Sequence, residues 1–424
     1  MFDRRATALR PPGLCSLLAL VCLCPAAMAE TSPWYLGVSQ GLSYDSNLYR
    51  IDTNTPLGTG FSRSDTVSNT SLVAGLDQPI GRQRLYGNAK LGVNRYRNND
   101  YLNDTSYNLT TGLDWSTIEH VSGNLGLAAS RNQRSFNVDT GPNASETRKN
   151  NENVAQVDAS VRVGVVTPLT FEATLGYRRV GYSAPEYDSS QYQQSRGSVG
   201  MRYRPGTTSF GASLSLADSN YDQSATPPAG GQAAEKVRRT SLDLTVNWPA
   251  SGSSSVFARL SPTRVTYDQF TQRDFSGLTG ALKWDWLPTG KLNVETRLVH
   301  DIGQDSNFET FGGPLVVGTS NTGRTTTELR LAAGYELTAK IALNAALGTS
   351  HRALERTANV SGLSIVTAAG SDDTTTLSLG ARWTPLRSVQ AGCSVGSDQR
   401  AASGGLTQDY RAKTVSCYGQ FTLQ

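Results

Sequence analysis

The sequence predicts an all-β fold: a transmembrane, antiparallel, up-and-down β-barrel of about eighteen strands. Three observations carry that expectation. Apolar and polar residues alternate with a period of two in one segment after another. The connections between these segments are short and long by turns. Aromatic residues recur at the strand ends that adjoin the short connections.

The alternation is clearest in TTTLSLGARWTPLRSVQAGCSVG (374–396). Thr375, Leu377, Leu379, Ala381 and Trp383 share one phase; Thr376, Ser378, Gly380 and Arg382 share the other. After the turn at 384–388, Val389, Ala391, Cys393 and Val395 resume the apolar phase. This is a hairpin with one apolar and one wet face, and the apolar face fits either a soluble core or lipid.

The remaining strands follow in chain order. Leu36, Val38 and Leu42 mark the first, then Leu72–Leu76, Leu85–Val93, Tyr107–Trp115 and Val121–Ala129. Val157–Val165, Leu169–Tyr177, Val199–Tyr203, Phe210–Leu216, Leu242–Trp248 and Val256–Leu260 continue the series. Leu278–Trp286, Leu292–Leu298, Leu329–Leu337, Ile341–Leu347, the hairpin above and Val415–Leu423 complete it. Short connections rich in Pro, Gly, Ser and Thr fall at 77–83, 116–119, 167–170, 204–209, 249–255, 287–291, 337–340 and 384–388. Long polar ones fall around 45–65, 97–106, 131–153, 181–191, 219–237, 266–273, 302–324, 351–373 and 398–412. Short periplasmic turns opposite long outer loops are what an outer-membrane barrel requires. Trp115, Trp248, Trp286, Tyr335 and Trp383 all stand beside short turns, as a girdle at one membrane–water boundary would; packing in a core is the alternative. Lipid on the apolar face resolves the pattern, because a closed sheet leaves no edge that lipid would have to hydrogen-bond.

The N-terminus fits export. Arg4, Arg5 and Arg10 precede an apolar stretch from Leu14 to Cys24 and a small-residue end, Ala27-Met28-Ala29. Residues 1–29 read as a signal peptide and 30–424 as the barrel, an uncleaved anchor being the alternative. No later run of 18 apolar residues suggests a transmembrane helix. Mean hydropathy is −0.36, and the formal charge of +4 is too small to point to nucleic acid.

The wet face lines the lumen. It carries Lys90, Arg162, Arg178, Arg202, Arg204, Arg259, Lys283, Arg297, Arg330 and Arg382 against Asp114, Asp158, Glu172, Asp243, Asp285, Glu295, Glu328 and Glu336. Their mixture predicts a hydrated interior without a strong field of one sign, in a barrel wide enough for an aqueous channel. No catalytic, metal or cofactor site is expected. The three histidines, His120, His300 and His351, show no spacing that singles out a nucleophile pair, and Asp372-Asp373 reads as solvated loop. Tyr44-Asp45-Ser46-Asn47, echoed at Asp218–Tyr221 and Asp305–Asn307, suits turn chemistry, with a calcium or sugar contact as the alternative. Tyr177, Tyr182, Tyr187 and Tyr192 recur every five residues, as sugar-stacking groups or an upper belt to which Tyr177 and Tyr192 belong.

Cys393 and Cys417 have their midpoint at Gly405, within the turn-like Gly404-Gly405 loop. A symmetric hairpin places them opposite one another, in the oxidising space outside the inner membrane, and predicts a disulfide. The alternative is two small apolar residues facing lipid.

Several stretches are familiar in combination: SYDSNLYR (43–50), LDQPIGRQRL (76–85), LDWSTIEHVSG (113–123), VRVGVVTPLTFE (161–172), TQRDFSGLTG (271–280), DWLPTGK (285–291), YELTAKI (335–341), TTTLSLGARWTPLRS (374–388) and VSCYGQFTLQ (415–424). Together they resemble the EpsL-type outer-membrane β-barrel proteins of exopolysaccharide-biosynthesis, exosortase-associated operons. The resemblance implies a place in the outer membrane, lipid and polysaccharide as partners, other components of an export system beside it, and a role in exopolysaccharide production or export. It supplies no catalytic residues. A general diffusion porin and a closed barrel serving as adhesin or scaffold are the alternatives.

Overall fold

A computed structural model of the chain describes residues 32–118, 120–136, 147–221, 235–268, 271, 274–302, 323–360 and 363–423. The expected signal segment and the Asp305–Asn307 echo lie outside them. The first nine strands are β1 (Trp34–Asp45), β2 (Asp65–Ile80), β3 (Gln83–Tyr96), β4 (Asp104–Ser116), β5 (Val121–Gln133), β6 (Asn151–Val163), β7 (Leu169–Tyr182), β8 (Tyr192–Tyr203) and β9 (Ser209–Tyr221). The next nine are β10 (Glu235–Ser251), β11 (Ser254–Tyr267), β12 (Phe275–Thr289), β13 (Leu292–Ile302), β14 (Gly323–Thr338), β15 (Ile341–Val360), β16 (Leu363–Leu386), β17 (Val389–Ser403) and β18 (Tyr410–Leu423). Each strand pairs antiparallel with its neighbours in sequence, and β1 pairs with β18, so the eighteen-stranded sheet is closed.

The outer face is apolar. Leu91, Leu175 and Val199 are 58%, 70% and 62% exposed, and each pairs with a residue of the same phase on the next strand, Leu175 with Ala159 for example. Burying such a face in water-soluble form would need a second layer, and the described residues form none; lipid is the solvent that satisfies it. The aromatic end is here too: Trp248, Trp286, Tyr335 and Trp383 are all exposed beside short turns, and Trp284 stacks on Trp286 with ring centroids 5.6 Å apart. Trp34 joins them at the start of β1. The closed ladder, the greasy exterior and the girdle make this an outer-membrane β-barrel.

The short turns are tighter than the sequence suggests, because the ladders run further down. β2 and β3 are joined by Gly81 and Arg82 alone, with Gly81 at φ 61°, where a side chain would be strained. The largest departure is at 351–373, expected as a loop. Its backbone is strand nearly throughout, with His351 opposite Asp373 and the pairing continuing to Val360 opposite Leu363. β15 and β16 are 20 and 24 residues long, about twice what crossing a bilayer needs. Above the lipid no solvent difference enforces alternation, so the ladder persists where its sequence signature stops.

Cys393 lies opposite Cys417 in the β17–β18 register. The two are joined by a disulfide, with Cα atoms 4.1 Å apart, close to the shorter of the two antiparallel pair separations. Both share the outward phase of Val395 and Val415. The bridge closes a loop with a sequence separation of 24, a length for which chain entropy favours the folded state by roughly 3 kcal/mol. Cys393→Ser is therefore expected to lower the denaturant midpoint while leaving a closed barrel. An unchanged midpoint in oxidised membranes would contradict this.

Candidate channel lumen

The face opposite in phase to the lipid-facing residues is the concave one. Arg239 on β10 pairs with Asp301 on β13 at 2.9 Å, passing over two intervening strands. Residues from β6 to β13 together line one cavity of about 450 Å³, within the small-molecule range. Of the lumen residues expected from sequence, Arg162, Glu172, Arg202, Asp243, Arg259, Lys283 and Arg297 line it. Glu336 and Arg382 line a second recess nearer the periplasmic turns. Lys90, Asp114, Asp158, Arg178, Asp285, Glu295, Glu328 and Arg330 occupy the same inward phase on their strands. Arg204 does not. β8 ends at Tyr203, and the Arg204 backbone N–H donates to the Pro168 carbonyl at 2.7 Å in the turn. Beyond the ladder, alternation no longer fixes a side.

The acids inside the wall are largely held by neighbours. Glu172 sits between Arg162 at 3.0 Å and Arg202 at 3.1 Å. Asp158 takes Arg196. Asp243 accepts hydrogen bonds from the hydroxyls of Ser215, Ser241 and Ser261. Lys283 bridges Asp285 at 3.0 Å and Glu295 at 3.2 Å. Arg297 stands in register with Lys283 on one side and Arg330 on the other. Like-charged neighbours across strands repel unless something anionic lies between them. Around the cavity the mixture expected from composition is tilted locally toward the basic side, with Asp158, Asp285 and Glu295 paired to lining cations from just outside it. The cavity is lined by Arg162, Arg196, Arg202, Arg239, Arg259, Lys283 and Arg297 against Glu172, Asp243 and Asp301, seven basic groups to three acidic. Arg196, Arg239 and Asp301 were not singled out in the sequence. Arg239 follows Arg238, and only the phase set by Leu242, Leu244 and Val246 tells which of the two points inward.

The extracellular end is partly covered. In the 46–64 connection, Tyr49 and Ile51 are fully buried and pack with Leu102 and Phe136. The Tyr49 hydroxyl donates to Asn99 Oδ1 at 2.6 Å. Burial, with the neighbouring Tyr101 hydroxyl, pushes that phenol well above its ordinary pKa. Arg63 donates to the carbonyls of Asp52 and Thr55 at 2.8 and 2.6 Å, tying the loop to itself. Arg50 anchors it to the wall, 2.8 Å from Asp45 on β1 and 3.4 Å from Asp398 on β17. Burial works against that charge, but hydrogen bonding to Asp45 and attraction by both carboxylates outweigh it and hold the guanidinium pKa above its usual value. Arg50→Ala would remove the cation that stands between Asp45 and Asp398. We expect the loop to become cleavable by protease between residues 52 and 60 while the barrel stays intact; continued resistance would contradict the anchor.

The sequence motifs resolve individually. Asp45 accepts the Asn47 backbone N–H at 2.8 Å, the turn reading. The echo at Asp218–Tyr221 is strand, not turn, with Asp218 paired to Arg238. Tyr177 is exposed on the outer face. Tyr192 is buried against Tyr221 with centroids 5.4 Å apart, so it is not a belt residue. Tyr182 and Tyr187 flank the Arg134 guanidinium at 4.8 and 4.9 Å. Asp372 is not loop but buried strand, held by Arg352 at 2.7 Å. On the outer face His351 meets Asp373 and His300 meets Thr327, each at 2.8 Å. These are separate pairs, so neither histidine holds both a hydroxyl and a carboxylate.

No family model matches the sequence, and no curated protein matches it. Among solved structures, the chain is similar to the outer membrane protein opdK from Pseudomonas aeruginosa, with 13% identity, 92% of this chain and 99% of that chain covered, and a TM-score of 0.46. It is similar to OccK3 (OpdO) of the same organism at 14% identity, with 92% and 95% covered and a TM-score of 0.45. It is also similar to the siderophore receptor PirA from Acinetobacter baumannii at 7% identity, with 93% and 81% covered and a TM-score of 0.44. At such identities the fold stands on this chain's own closed ladder.

Proposed function

We propose that the barrel is a passive channel for hydrated solutes, porin-like in action, with a preference for anions. The observation that carries this is the cavity lined by seven basic and three acidic groups. A wall of that sign, with low-dielectric barrel behind it, concentrates anions and repels cations. Ion pairs fix most of the arginine heads, so little reorganisation accompanies passage. The test is the reversal potential across a planar bilayer under a KCl gradient. A potential displaced toward the chloride value supports the reading, and one displaced toward potassium counts against it.

Exopolysaccharide passage is the narrower proposal, drawn from the EpsL-type resemblance. One feature of the wall favours it. Tyr35, Tyr86 and Tyr418 each lie across a glycine on the adjoining strand, Gly75, Gly112 and Gly392, where an added Cβ would meet ring atoms at 2.0, 2.5 and 2.7 Å. Rings laid flat on the inner sheet offer apolar surface to sugar C–H faces, with Asn88, Asn124 and Gln390 hydrogen-bonded to their hydroxyls. Deleting the protein and measuring where polymer accumulates separates the two. Polymer retained in the periplasm supports export, and unchanged surface polymer leaves the general channel alone standing.

A further inference from the structure

The outer face carries its charges at one end only. Counting from the periplasmic end, no outward position among the first nine residues of any strand bears a charged side chain. Cations then begin. β5 starts at Val121, β7 at Leu169 and β11 at Ser254, so Arg131, Arg179 and Arg264 are each the eleventh residue of their strand; Lys413 is the eleventh counted back from Leu423. Arg95 and Arg411 stand one pair further out. All six share the phase of lipid-facing residues: Arg131 lies opposite Tyr107, and Lys413 opposite Ser397, two positions from Val395. None forms an ion pair with a described residue. Lys236 adds a seventh beside the Arg238–Asp218 pair.

About 9–11 tilted residues cross the hydrocarbon, so these groups stand at the extracellular headgroup boundary. Anionic neighbours there are few. Asp218 is occupied by Arg238 and Asp373 by His351. The cations occupy strands from β18 round to β11; on β12–β17 the described outward side chains at this height are neutral, apart from the His351–Asp373 pair. A one-sided band of unpaired guanidinium and ammonium groups at a lipid boundary attracts phosphate at about 1 kcal/mol for each cation near the surface, and arginine does so with a planar fork matched to phosphate oxygens.

We propose that this belt binds the phosphate groups of phosphorylated glycolipid in the outer leaflet, giving the β18–β11 side of the barrel a fixed lipid shell. The partner follows from charge complementarity and from the height of the belt, and it is independent of what passes through the lumen.

The test uses the full chain in detergent, with diphosphorylated lipid A as probe, its dephosphorylated form as control, and bound lipid read by native mass spectrometry. The wild type is expected to retain the diphosphorylated lipid and not the dephosphorylated one. Arg131→Gln/Arg179→Gln/Arg264→Gln is expected to weaken retention on the order of 100-fold, while Arg131→Lys/Arg179→Lys/Arg264→Lys keeps most of it. Equal retention by the glutamine variant, or of the dephosphorylated lipid by the wild type, overturns the proposal. Heat-modifiable migration in SDS gels reports whether each variant is folded. If the glutamine variant is not, the wild-type comparison of the two lipids decides alone. Retention abolished equally by excess inorganic phosphate and by its sulfate counterpart would show unspecific charge attraction and also overturn it.

Discussion

Replacing Asp372 with alanine is expected to lower the barrel's unfolding free energy by about 3–5 kcal/mol. Asp372 is 1% exposed on β16. Its two oxygens accept from the Arg352 guanidinium at 2.8 and 2.7 Å, and Thr407 donates to it at 3.1 Å. Arg400, also buried, stacks on Tyr410 at 4.9 Å in the same cluster. Without the carboxylate, the Arg352 guanidinium loses the two-oxygen acceptor that holds it beside the buried Arg400. The variant should show a lower urea midpoint in folding titrations, and early loss of protection in β15–β17. Asp372→Asn keeps the shape and the hydrogen-bonding oxygen but not the charge, so an intermediate loss is expected. A midpoint equal to wild type in both variants would contradict the assigned role.

The second large effect concerns selectivity. Reversing Lys283 and Arg297 to glutamate leaves five basic and five acidic groups around the cavity in place of seven and three. The anion preference of the channel should then disappear, with a chloride-to-potassium permeability ratio near about 1. Reversing Arg95 and Arg179, which face the lipid, is expected to leave that ratio unchanged. A ratio altered equally by both pairs would mean that the assignment of inner and outer faces is wrong.

Much of the barrel is legible in the sequence because lipid imposes a strict alternation on every residue it touches. Leu169, Phe171, Ala173, Leu175 and Tyr177 face outward or they expose polar groups to hydrocarbon, and their phase assigns Glu172 and Arg178 to the lumen at once. The same rule fails where lipid ends. At 351–373 the chain stays in the ladder, but either face may be polar, so nothing in the residue order distinguishes strand from loop. The packing of Tyr49 against Phe136 and the tie from Arg50 to Asp398 were not legible either. They join residues that only barrel closure brings together. The cavity's sign was obscured for a related reason: a count of charges weighs Glu172 and Arg297 equally, whereas register shows the first held between two arginines and the second flanked by two cations.

The central claim is that the lumen conducts. Single-channel recording of the purified chain in a planar bilayer tests it most directly. Stepwise, ohmic openings in KCl are expected, with a reversal potential displaced toward chloride under a salt gradient. A bilayer that remains electrically silent after verified insertion of folded barrel would contradict it.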